Sequence, residues 1–122
     1  SLSKKNIPLN NANILILGFT FKGDCPDIRN TKTIHIVDEL KSFNISVDVY
    51  DSWANSNEVE SKYGITLITE LKENYYDAIL LTVDHNQYKE WGSYFIRSLG
   101  KKQHLLYDIK HVLKLNESDL RL

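Results

Sequence analysis

Apolar residues fall along the chain in two rhythms. The run "ANILILG" is continuously apolar and ends in glycine, the pattern of a strand buried on both faces. Ile34, Val37, Leu40 and Phe43 then recur at helical spacing, so a helix is expected over residues 31–43, with Asn30 or Thr31 at its start and Asn44 at its stop. "SVDVYD" alternates like a strand, the polar stretch that follows has room for a short helix, and "ITLI" at residues 65–68 is expected to be a third strand. "YDAILLTV" reads as another buried strand, residues 85–99 as the helix covering it, and "HLLYDI" as a fifth strand. Strands alternating with helices call for an α/β domain: an open parallel sheet of five to six strands with helices on both faces, Rossmann-like in outline. It is expected to occupy residues 12–122, with the polar lead-in 1–11 as a linker.

In such sheets ligands gather where the strands end. Those ends carry residues 18–29 after the first strand, Asp51 after the second, Asp84 and His85 after the fourth, and Asp108 to Lys110 after the fifth. The first turn, "GFTFKGDCPDIRN", sits between strand and helix, where phosphate loops sit. It is not a dinucleotide fingerprint, because Thr20 occupies the place of the second glycine. Nor is it a P-loop, because Asp24 and Cys25 stand where lysine and a hydroxyl residue belong.

Composition narrows the classes further. The 122 residues are 42% hydrophobic and 25% charged, which suits one globular domain. A formal net charge of -1 supplies no general field for nucleic acid or an anionic membrane, so phosphate binding has to come from a local cluster of bases. One cysteine, Cys25, makes neither an intrachain disulfide nor a multi-cysteine metal site, and no apolar run is long enough to span a bilayer. No metal, no nucleic acid, no membrane and a cytoplasmic location are therefore expected.

The run "ILGFTFKGDCPDIRNTK", followed by a helix and "VDVYD", resembles the start of the C-terminal UDP-binding domain of the UDP-glucose/GDP-mannose dehydrogenase family. "ILLTVDHNQYKEW" and "LLYDIKHVL" are similar to that family's fourth- and fifth-strand segments, and the loop leans toward its UDP-N-acetylhexosamine branch in bacterial surface polysaccharide synthesis. The resemblance implies that Phe21, Lys22 and Lys110 contact the nucleotide sugar and that Arg29 contacts NAD across a domain interface. It also implies a longer, homodimeric or higher enzyme with NAD-binding and central domains, oxidising the sugar C6 hydroxyl to a carboxylate through a cysteine in a G-F-G-G-x-C motif. That motif is absent here, so no catalytic residue is assigned and the chain alone is expected to be inactive. Two other classes share such a sheet. A free-standing nucleotide- or CoA-binding module stays open; a phospho-receiver domain needs an acidic pair where Gly18 and Phe19 stand. Asp51 reads either as a ribose ligand or a turn cap, His85 as a hydrogen-bonding residue at a helix start, and Cys25 as a small loop residue.

Overall fold

The computed structural model describes residues 11–121. The elements are β1 (Asn13–Leu17), α1 (Thr33–Ser42), β2 (Ser46–Tyr50), α2 (Ser56–Tyr63), β3 (Tyr76–Leu81), α3 (Asn86–Ser98), β4 (Gly100–Asp108) and β5 (Leu120–Arg121), with a turn of 3-10 helix over Leu115–Glu117 before the last strand. All of the expected linker except Asn11 lies outside the described residues.

The strands form one sheet in the order β2-β1-β3-β4-β5, and every pairing is parallel. From β1 the chain steps to one side to make β2, then returns past β1 to make β3 on the other. The strand order therefore reverses between β1 and β3, which is where open α/β sheets leave a crevice at their carboxyl edge.

β1 lies inside the sheet and alternates between two cores. Ile14 and Ile16 pack with Val37 of α1 and Val59 of α2, while Leu15 and Leu17 pack with Tyr88 and Ile96 of α3. Burial on both faces explains why this strand has no polar alternation. Each such side chain withdrawn from water contributes about 1.5–3 kcal/mol.

Helix boundaries follow local chemistry. The Thr31 hydroxyl accepts from the Thr33 amide (3.2 Å) as α1 opens, and Asn44, at φ 60°, ends the turn behind it. Asn55 caps α2 by accepting from the Glu58 amide (3.1 Å), and Gly64 closes that helix at φ 70°. The expected helix over 85–99 is present as α3 but is interrupted at Gly92, whose φ of 77° and ψ of 163° kink it.

One expected strand is absent. Residues 65–68 form no ladder: Ile65 and Leu67 are buried in the core shared with α1 and α2, and the Ile68 amide donates to the Val49 carbonyl (2.9 Å). The alternation of Ile65 and Leu67 records burial rather than pairing. The segment lies along β2, the edge strand, and covers it. In turn, β4 begins earlier than the run "HLLYDI" suggests, because exposed residues 101–103 sit in a register shift opposite the start of β3.

Candidate functional site

The turn after β1 is pressed onto the end of β3, and its glycines make that approach possible. A Cβ on Gly18 would lie 2.5 Å from the Val83 Cβ, and one on Gly23 would lie 2.6 Å from the Asp84 carbonyl oxygen. Gly18 also takes φ 113°, which L-residues rarely adopt. These glycines serve close backbone approach. The turn is closed by the Phe21 amide donating to the Asp27 carbonyl (2.7 Å). It is tied to β3 by the Thr82 hydroxyl, which donates to the Gly18 carbonyl (2.6 Å).

Behind the turn lies a sealed polar knot. Asp51, 5% exposed, accepts on Oδ2 from the amides of Phe19 (2.6 Å) and Thr20 (3.0 Å), and on Oδ1 from those of Trp53 (2.8 Å) and Ala54 (3.2 Å). His85, fully buried, sets Nε2 at 3.0 Å from Asp51 Oδ2, while its Nδ1 accepts from the Asp24 amide at 2.9 Å. Those partners place the ring proton on Nε2, donating to Asp51. Burial pushes the Asp51 carboxyl up, but the bonds from His85, Phe19 and Thr20 outweigh it and hold the group below its ordinary value. Of the two roles open to Asp51, the structure gives it the turn cap.

Asp24 explains why a carboxylate stands where a P-loop has its lysine. Its Oδ1 accepts from the Asn86 amide (2.9 Å), the first of α3, so the protein's own anion occupies that helix start. Arg29 is exposed and gripped by its neighbour: its Nε and Nη2 each donate to Asp27 at 3.0 Å. The bond from the guanidinium holds the Asp27 carboxyl below its usual range. Arg29 lines a groove of about 460 Å³ with Ile28, Asn57, Glu58, Ser61 and Lys62, away from the knot.

The crevice at the carboxyl edge has a volume of about 220 Å³ and is lined by Thr20, Phe21, Lys32, Thr33, Thr82 and Lys110. It straddles the reversal of strand order, drawing residues from the ends of β1, β3 and β4. Lys110 is presented by a turn that Asp108 holds: its buried carboxylate accepts from the Val112 (2.9 Å) and Leu113 (2.8 Å) amides. Phe21, half exposed, forms an apolar wall. Phe21 and Lys110 are thus brought together, whereas Lys22 is exposed on the same turn and is not among the lining residues. The second cation of the crevice is Lys32. It was not singled out from the sequence, although a lysine where acidic or hydroxyl residues belong was the available signal.

Fold and crevice together define a doubly wound α/β domain with a crevice lined by two lysines at its switch edge. Residues 15–115 match the UDP-glucose/GDP-mannose dehydrogenase family, UDP binding domain, and the chain belongs to that family. It is 48% identical over its whole length to the UDP-N-acetyl-D-glucosamine 6-dehydrogenase of Salmonella typhi, and 44% identical to the enzyme of that name from Pseudomonas aeruginosa. In each case it spans 29% of the relative's length. The fold is shared with an NDP-N-acetyl-D-galactosaminuronic acid dehydrogenase from Methanosarcina mazei Go1, at a TM-score of 0.81 and 22% identity, over 95% of this chain and 24% of that one. A UDP-D-ManNAc dehydrogenase from Pyrococcus horikoshii gives 0.77 and 23% over 98% of this chain and 27% of that one.

Proposed function

We propose that this chain is the domain that holds the UDP end of the substrate in an NAD-dependent nucleotide-sugar 6-dehydrogenase, which converts the C6 hydroxyl of a UDP-N-acetylhexosamine to a carboxylate for surface polysaccharide synthesis in the cytoplasm. The observation that carries the reading is the family match over residues 15–115, in a chain whose crevice sets Phe21 beside Lys110 at the switch edge. Phe21 offers a flat apolar surface to the ligand and Lys110 a charge for its phosphates. Lys22, exposed on the same turn, is a further cation proposed to contact the nucleotide sugar. Arg29, immobilised by Asp27 and 77% exposed at its side chain, presents a fixed cation for NAD bound by a neighbouring domain. NAD supplies the hydride acceptor when bound; the residues of this chain bind and orient the other substrate. No helix among the described residues is long and apolar enough to cross a membrane.

Kinetics of the enzyme containing this domain test the reading. Lys110→Ala is expected to raise KM for the UDP-sugar about tenfold or more, and Arg29→Ala to act mainly on KM for NAD. The 122-residue chain by itself is expected to reduce no NAD with any UDP-hexose. Turnover by the chain alone, or unchanged KM values in both variants, contradicts the proposal.

A further inference from the structure

We propose that Lys32 is a specificity-determining residue, which with Lys110 makes the crevice a subsite for a doubly negative diphosphate group. The inference rests on the nucleotide-sugar reading for the name of the ligand, but not for its charge.

Lys32 is poorly chosen for the helix it opens. It occupies the N-cap of α1 with no side-chain capping bond, and the nearby Thr31 hydroxyl does the capping instead. Serine, threonine, asparagine or aspartate is preferred at such a position, and a cation there faces the positive end of the helix dipole. Local rules broken without local compensation mark functional positions.

Among the described residues no carboxylate forms an ion pair with Lys32 or Lys110. The ion pairs among the described residues use Arg29, Lys72, Arg97, Lys101 and the His85 ring, and no carboxylate lines the crevice. Three carboxylates at this edge accept from backbone amides, Asp24 from Asn86, Asp51 within the knot and Asp108 from Val112 and Leu113, and the exposed Asp84 is not among the lining residues. Two of the lining hydroxyls have spent their hydrogens inward, Thr20 on the Lys22 carbonyl (3.0 Å) and Thr82 on the Gly18 carbonyl. The charged donors among the lining residues are Lys32 and Lys110, which come from different elements and line one space. That space, about 220 Å³, is smaller than the roughly 300–1,000 Å³ that encloses a drug-sized ligand, so it admits part of a nucleotide sugar. Two cations, no acid and a small volume fit the diphosphate rather than the neutral hexose or the base.

The test is a set of titrations of the 122-residue chain, followed by amide chemical shifts and by melting temperature, with inorganic pyrophosphate, UDP and uridine as probes. Pyrophosphate and UDP are expected to bind and uridine not. Lys32→Ala should weaken both anions about tenfold or more, and Lys32→Arg should restore most of the affinity. Lys32→Ser should raise the melting temperature of the free chain while reducing the rise that UDP produces, an opposition that a purely structural lysine does not give. Unchanged UDP and pyrophosphate affinity in Lys32→Ala overturns the proposal and leaves the nucleotide-sugar reading standing. Lys32-dependent binding of pyrophosphate with no binding of UDP supports the proposal and overturns that reading. Failure of both anions to bind the wild-type chain at millimolar concentration overturns the proposal.

Discussion

Asp51 and Lys110 stand at the same edge of one sheet, just past the ends of β2 and β4, in opposite surroundings. Asp51 is buried and accepts four backbone amides and the His85 ring. Lys110 is exposed, in a crevice whose lining carries a second lysine and no acid. The first arrangement is satisfied by groups of the chain itself; the second sets two lysines in one crevice with no acid among its lining residues. Strand-end polar residues in this domain thus divide into those that build the edge and those that face the open crevice. The division follows from whether their partners lie in the chain.

The comparison is broken most severely by removing the buried charge. Asp51→Asn keeps the shape but turns amide donors toward backbone amides, and is expected to cost about 3–5 kcal/mol in chemical denaturation. Because the Asp51 carboxyl is held below its ordinary 3.8, its contribution is complete above about pH 4 and is lost as pH falls through the lowered value. Wild-type stability should therefore fall steeply in that acid range, and the Asp51→Asn variant should show a shallower fall. Next in size is Gly18→Ala, whose added Cβ meets Val83 in a backbone conformation unsuited to alanine; a loss of about 2–4 kcal/mol is expected from the same measurement. Asp24→Ala removes the cap from α3 and should cost about 0.5–2 kcal/mol. At the small end, Lys110→Ala should leave stability within about 0.5 kcal/mol of wild type while weakening the ligand. A loss of several kcal/mol in Lys110→Ala, or none in Asp51→Asn, would erase the distinction between the two regions.

The sheet was legible in the sequence because its inner strands are buried on both faces and read as unbroken apolar runs, β1 and β3 above all. Residues 65–68 misled for a related reason: hydrophobic alternation reports that a segment is covered, and Ile65 and Leu67 are covered without a strand partner. β5 spans two residues, too few for any period to show. At the site, Lys110 was legible from its place after a strand. Lys22 was singled out and Lys32 was not, because side-chain direction in a turn is set by bonds such as Phe21 amide to Asp27 carbonyl and Thr20 hydroxyl to Lys22 carbonyl. No spacing rule encodes those. The roles of Gly18 and Gly23 were hidden likewise, since their reason lies at Val83 and Asp84, just past β3 and some sixty residues on.

The open crevice, and not the sealed knot behind it, is the proposed seat of the UDP end of the ligand. Amide chemical shifts of the wild-type chain titrated with UDP test it most directly. The account predicts that the changes concentrate at Thr20, Phe21, Lys32, Thr33, Thr82 and Lys110, leaving Trp53 and Ala54, whose amides are bound to Asp51, in place. Shifts confined to residues 51–54, or to the groove around Arg29 and Lys62, would contradict it.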